Sequence, residues 1–151
     1  MATPAEREGI SLLCIWNGDG LMAKFFCYNQ ALFHTSGRVC ECAPLKKSDF
    51  TIETETSISY EYPVLSIPIM RNKIHGHPAP VKIYPHRSKM LFDFQFSLAY
   101  SLIMNKSLDG DSEYLFPDYQ KKVEDEADIS KHFNYFCKKL EQLYRDYMGI
   151  I

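Results

Sequence analysis

No run in this chain approaches the roughly 18 apolar residues that a membrane helix needs. The opening stretch, MATPAEREGI, carries two glutamates and an arginine and lacks the apolar core of a secretory signal. A surplus of either charge is missing too. Seventeen Lys+Arg stand against nineteen Asp+Glu, for a net charge of -2. That excludes the general polyanion binder, which needs a basic excess, and the acidic disordered tail. Internal repeats and low-complexity tracts are absent. The cysteines, at 14, 27, 40, 42 and 137, are five, and an odd number cannot pair completely within one chain. Without a secretion signal they are expected as free thiols, which places the protein in the cytoplasm or nucleus.

What is present is ordinary for a globular domain: 151 residues, 46% hydrophobic, 14% aromatic and 24% charged. Residues 1–8 read as a flexible tail and 9–151 as a single domain. Ile10–Trp16 is rich in strand formers. Asn17-Gly18-Asp19-Gly20 is the strongest turn signal in the chain. Leu21–Tyr28, Ala31–Thr35 and Arg38–Ala43 then read as returning strands of a tight meander. From Phe50 to Tyr62 polar and apolar residues alternate, which predicts a long half-buried strand bent near Thr56-Ser57. Its acidic, hydroxylated face carries Glu53, Glu55 and Glu61. Ile52, Ile58 and Tyr60 are expected to point inward, so that Ile58→Asp would unfold the domain. Val64–Ile67 and Val81–Tyr84 read as short strands.

Residues 90–104 allow two readings. Phe92, Phe94, Phe96, Leu98, Tyr100 and Leu102 alternate with mostly polar residues, which favours a strand; the other reading is a fully buried helix. Residues 119–128 are charged and suit the start of a helix. Ile129–Met148 is the clearest helix, with Phe133, Phe136, Cys137, Leu140, Leu143, Tyr144 and Tyr147 on one stripe. The expected fold is therefore α+β: an antiparallel meander sheet of six to eight strands, half-barrel or sandwich-like, closed by a C-terminal amphipathic helix that docks on the sheet.

Chemistry-bearing motifs are sparse. Cys40-Glu41-Cys42 and His75-Gly76-His77 each put two ligand types two residues apart, a spacing that shares one face of a strand. Together Cys40, Cys42, His75 and His77 would make a Cys2His2 zinc site. Against it stands the plain reading of inward thiols and solvent-facing histidines, and no cofactor is expected. No nucleophile elbow surrounds any Ser or Cys, and Cys14, Cys27 and Cys137 look like small core hydrophobes. Asp109-Gly110-Asp111-Ser112-Glu113 holds only a fragment of a calcium loop, and Tyr114 and Tyr119 stand beside acidic residues. Arg71, Lys73, Lys82, His86, Arg87 and Lys89 gather basic groups near Tyr84 and Phe92. They suit an acidic partner or lipid head groups, or no more than a solvated hairpin.

With no acid/base pair, phosphate loop or strong metal motif, the leading expectation is a non-catalytic protein–protein interaction or adaptor module with a protein partner. Membrane insertion and nucleic-acid binding are not expected. The helical stripe of Phe133, Phe136, Leu140, Leu143 and Tyr147 is either core or the partner surface. The alternatives are a domain that binds a small apolar ligand in a pocket of the curved sheet and an enzyme with a dispersed Cys/His site.

Overall fold

The computed structural model describes residues 3–35, 39–69, 79–124 and 129–150. The chain opens with three helices, α1 (Pro4–Asn17), α2 (Gly20–Thr35) and the single turn α3 (Val39–Cys42). A three-stranded antiparallel sheet follows: β1 (Thr51–Thr56), β2 (Glu61–Ile69) and β3 (Ala79–Ile83), in the order β1-β2-β3. Helices α4 (Phe94–Met104), α5 (Lys106–Asp109), α6 (Pro117–Glu124) and α7 (Ile129–Ile150) complete it. The class is α+β, but the expected sheet of six to eight strands closed by one helix is not what forms. The sheet has three strands and is open, and most of the expected meander is helix.

The N-terminal correction has local causes. Thr3-Pro4-Ala5-Glu6 is a capping box, not a loose tail. The Glu6 amide donates to Thr3 Oγ1 (3.2 Å), the Thr3 amide donates to Glu6 Oε2 (2.7 Å), and Pro4 takes the first helical position. The turn at Asn17–Gly20 is real but joins two helices. Gly18, at φ 70°, ends α1 in the left-handed region where only glycine is at ease. Asp19 caps α2, its Oδ1 accepting from the Met22 amide at 2.7 Å.

Helix α2 is buried almost all round, from Met22 through Tyr28, because two cores share it. One core packs Cys27, Tyr28 and Ala31 against Leu65, Ile67 and Ile83 of the sheet and against Phe94, Phe116 and Tyr119. The other packs Met22, Phe25 and Phe26 against Leu13 and Cys14 of α1 and Leu140 of α7. A helix wedged between two cores needs no polar face, so its sequence carries no helical period.

Packing on the same two cores makes 94–104 a helix rather than a strand, though not a fully buried one, since Leu102 and Ile103 are exposed. Asp93 caps α4, accepting from the Gln95 amide at 2.9 Å. Leu98 packs on the first core, Phe96 and Tyr100 on the second. The buried seam between them is Phe94, Ser97, Ser101 and Asn105, at helical spacing. Small residues in that seam let α4 lie close to α2. The crossing is close at Gly20, where an added Cβ would stand 2.7 Å from Asn105 Oδ1 and 3.0 Å from the Met104 carbonyl.

The long alternating stretch is a hairpin, not one bent strand. β1 pairs with β2 from Thr51↔Ser66 to Thr56↔Glu61, and the Ser57 amide donates to the Tyr60 carbonyl at 2.8 Å across the reversal. Ile58 sits at the tip, fully exposed, and Ile52 and Tyr60 are exposed as well. The inward assignment of these three is therefore overturned. Ile52 does pair with the core residue Leu65, but β1 is an edge strand. The acidic face lies in water as expected: Glu53 and Glu55 pair with Lys82 at 3.6 and 3.1 Å.

Helix α7 forms where its stripe predicts, but it packs on helices rather than on the sheet. Leu140 is buried and Leu143 half-buried against the α1–α2 core. Lys139 pairs with Asp19 at 3.0 Å. Cys137 and Tyr144, assigned to the inward stripe, are exposed. The side chains of Phe133, Phe136 and Tyr147 lie outside the described residues. No described helix is long and apolar enough to cross a membrane.

Candidate functional site

The expected zinc set does not assemble. Cys40 and Cys42 fall on the helical turn α3, where positions two apart point in different directions. Cys42 is fully buried, its thiol 3.5 Å from Thr35 Oγ1. The Cys40 side chain, His75 and His77 lie outside the described residues. Among the described residues no group of three His, Cys, Asp or Glu is placed to hold a metal. Tyr119, beside acidic residues in the sequence, does not face solvent with them. It is buried and stacks on Tyr28, with ring centroids 4.4 Å apart.

The basic stretch is where the fold adds most. After β3 the chain turns twice in quick succession, the Lys89 amide donating to the His86 carbonyl (3.1 Å) and the Phe92 amide to the Lys89 carbonyl (3.0 Å). Helix α2 pins this segment from beneath. Gln30 Nε2 donates to the Leu91 carbonyl at 2.8 Å and His34 Nε2 to the Phe92 carbonyl at 2.7 Å. Because a carbonyl only accepts, His34 carries its proton on Nε2. Burial lowers the His34 pKa, the carbonyl works against that, and the charge of Arg7 adds to the lowering. His34 is therefore neutral at pH 7.

Anchored in this way, Phe92 becomes a platform for cations. The Arg7 guanidinium, from α1, lies 3.0 Å from the Phe33 ring centroid and 5.1 Å from that of Phe92. The Lys89 ammonium is 5.6 Å from the Phe92 ring, and the His86 ring is 6.4 Å from it. Further along, Arg87 stands 5.1 Å from the Tyr60 ring. Tyr60 meets Tyr62 at 5.9 Å, and Tyr62 meets Tyr84 at 6.4 Å. Phe33, Tyr60, Tyr84 and Met90 are all exposed. Lys82 leaves the cluster, since it is spent on Glu53 and Glu55. Arg71 and Lys73 lie outside the described residues.

Sequence reasoning found His86, Arg87, Lys89, Tyr84 and Phe92 but missed Arg7, Phe33, His34 and Tyr60. Those reach the site only through the packing of α1, α2 and the hairpin, and no local spacing announces it. No family model, curated protein or solved structure matches this chain.

Proposed function

We propose that this protein is a non-catalytic protein-interaction module, acting in the cytoplasm or nucleus, whose partner brings acidic side chains to the basic and aromatic surface around Phe92. One observation carries the reading. Arg7 and Arg87 lie on the exposed rings of Phe33 and Tyr60 and Lys89 lies beside the buried Phe92, and none of the three has a carboxylate within ion-pair distance among the described residues. Aromatic residues and arginine are what protein interfaces concentrate. Cations left without internal partners supply steering and register toward a negatively charged surface.

The alternatives draw less support. An apolar-ligand pocket calls for roughly 300 Å3 or more; a cavity beside Lys24 is about 160 Å3, with Lys24, Lys47, Lys106 and Asp109 among its lining residues. A thiol nucleophile needs a lowered pKa, but burial pushes the Cys14 and Cys27 thiols up to about 12.

The test is fluorescence anisotropy with a labelled peptide rich in Glu and Phe, against wild type and an Arg87→Glu, Lys89→Glu double variant. Binding that weakens with salt and falls at least tenfold in the variant supports the proposal. Equal binding by both proteins refutes it. So does tighter binding of a single-stranded oligonucleotide of equal charge.

A further inference from the structure

A second feature is independent of that surface. The cavity of about 160 Å3 lies where α2, α4 and α5 meet, and Lys24, Lys47, Ser101, Asn105, Lys106 and Asp109 stand in its wall. We propose that it is a binding site for a small oxyanion of phosphate size, held by the ammonium groups of Lys24, Lys47 and Lys106.

The buried member of the trio sets the chemistry. The Lys24 side chain is only 5% exposed. It pairs with Asp109, and with Asp118 at 2.9 Å. An ammonium has three N–H groups, so one donor remains with no acceptor among the described residues. A buried donor left unfilled is costly. Lys47 reaches the same place from the segment after α3. Its Nζ donates to the Asp109 carbonyl at 2.7 Å and to the Gly110 carbonyl at 3.3 Å, which again leaves one donor. Lys106 makes no ion pair among the described residues. Three lysines and one aspartate thus line the cavity beside Leu102 and Leu115, while Asp118 does not line it and is 54% exposed.

Size and polarity narrow the occupant. The volume is far above the roughly 10–15 Å3 that one water needs and well below the roughly 300 Å3 of an organic-ligand pocket. The amide donors of Asn105 are committed to the Gly20 and Ser101 carbonyls, both at 2.9 Å, so the donors left to the wall are the lysines and the Ser101 hydroxyl. A cation would meet three like charges, and an apolar molecule would leave the donors empty. A compact oxyanion fills them with charge-assisted hydrogen bonds.

The plainer role for Lys24 is to tie α2 to α5 and α6, and the experiment separates the two. The melting temperature of the full chain is followed against inorganic phosphate, and separately glycerol phosphate, at constant ionic strength made up with chloride. A saturable rise with either supports the site. A tighter response to glycerol phosphate assigns it to the phosphoryl end of a larger molecule, and a tighter response to inorganic phosphate to the free ion. Lys106→Ala and Lys47→Met should each weaken the response at least tenfold. Lys106→Ala, on an exposed residue, should leave the melting temperature in chloride alone unchanged. A rise no larger than chloride gives, or a response indifferent to both substitutions, overturns the proposal.

Discussion

Replacing Gly20 with alanine should destabilise the protein, and replacing Gly9 should do the opposite. Both glycines are helical, so each substitution gains from reduced freedom of the unfolded chain, up to about 1 kcal/mol. At Gly9, inside α1, nothing lies within 4 Å of the added Cβ, so the gain stands alone. At Gly20 the Cβ would be 2.7 Å from Asn105 Oδ1 and 3.0 Å from the Met104 carbonyl. Asn105 is buried and its amide holds the Gly20 and Ser101 carbonyls, each at 2.9 Å. Moving it aside weakens two hydrogen bonds worth about 1 kcal/mol each and leaves buried carbonyls short of a donor, a further penalty of about 1–3 kcal/mol. The gain offsets part of this, for a net loss of about 2 kcal/mol. In a domain of this length that lowers the melting temperature by about 4–8 °C. Urea unfolding followed by circular dichroism, beside thermal melts, gives both numbers. If Gly20→Ala proves as stabilising as Gly9→Ala, the close crossing of α2 and α4 is wrong.

Leu140→Ala should cost about 2–3 kcal/mol, because Leu140 is 9% exposed and fills the α1–α2 side of the second core; an unchanged urea midpoint would mean that α7 is not docked. Ile58→Asp at the hairpin tip should change stability by less than about 0.5 kcal/mol, since the side chain already lies in water; a cooperative loss of fold would restore the inward assignment. His34 gives a pH signature. Its folded pKa is lowered below the ordinary 6.5, mainly by burial, so below that pH the unfolded chain takes up more protons than the folded one. Stability should be fully present above about pH 6.5 and fall as pH drops toward the folded value. His34→Gln should flatten this part of the profile in urea midpoints taken between about pH 7 and 5, and an identical slope in the variant would refute the assignment.

Sequence alone determined the parts whose environment has one wet and one dry side. The stripe of 129–150 predicts α7 because one face meets a core and the other meets water. The alternation of 50–62 predicts extended chain, which forms as a hairpin with β1 exposed on both faces, and the break at Asn17–Gly20 predicts a turn. The capping box at Thr3–Glu6 stands in a stretch that reads as a flexible tail and is followed by strand formers. Only the tertiary structure decided the rest. Helix α2 sits between two cores, so burial nearly all round erases the period by which a helix is recognised; α4 packs on both cores yet leaves the apolar Leu102 and Ile103 exposed, so its period is blurred too. In α4 the buried seam is Phe94, Ser97, Ser101 and Asn105, with Phe96 and Tyr100 on one flank and Leu98 on the other. The candidate sites follow the same rule. His86, Arg87 and Lys89 are neighbours in sequence, but Arg7, Phe33 and His34 join them through helix packing across more than 50 residues. Lys24, Lys47 and Lys106 converge only because α2 and α5 meet beside the segment after α3. A charge pattern along the chain fixes composition, and contact between distant charges is a property of the packed core alone.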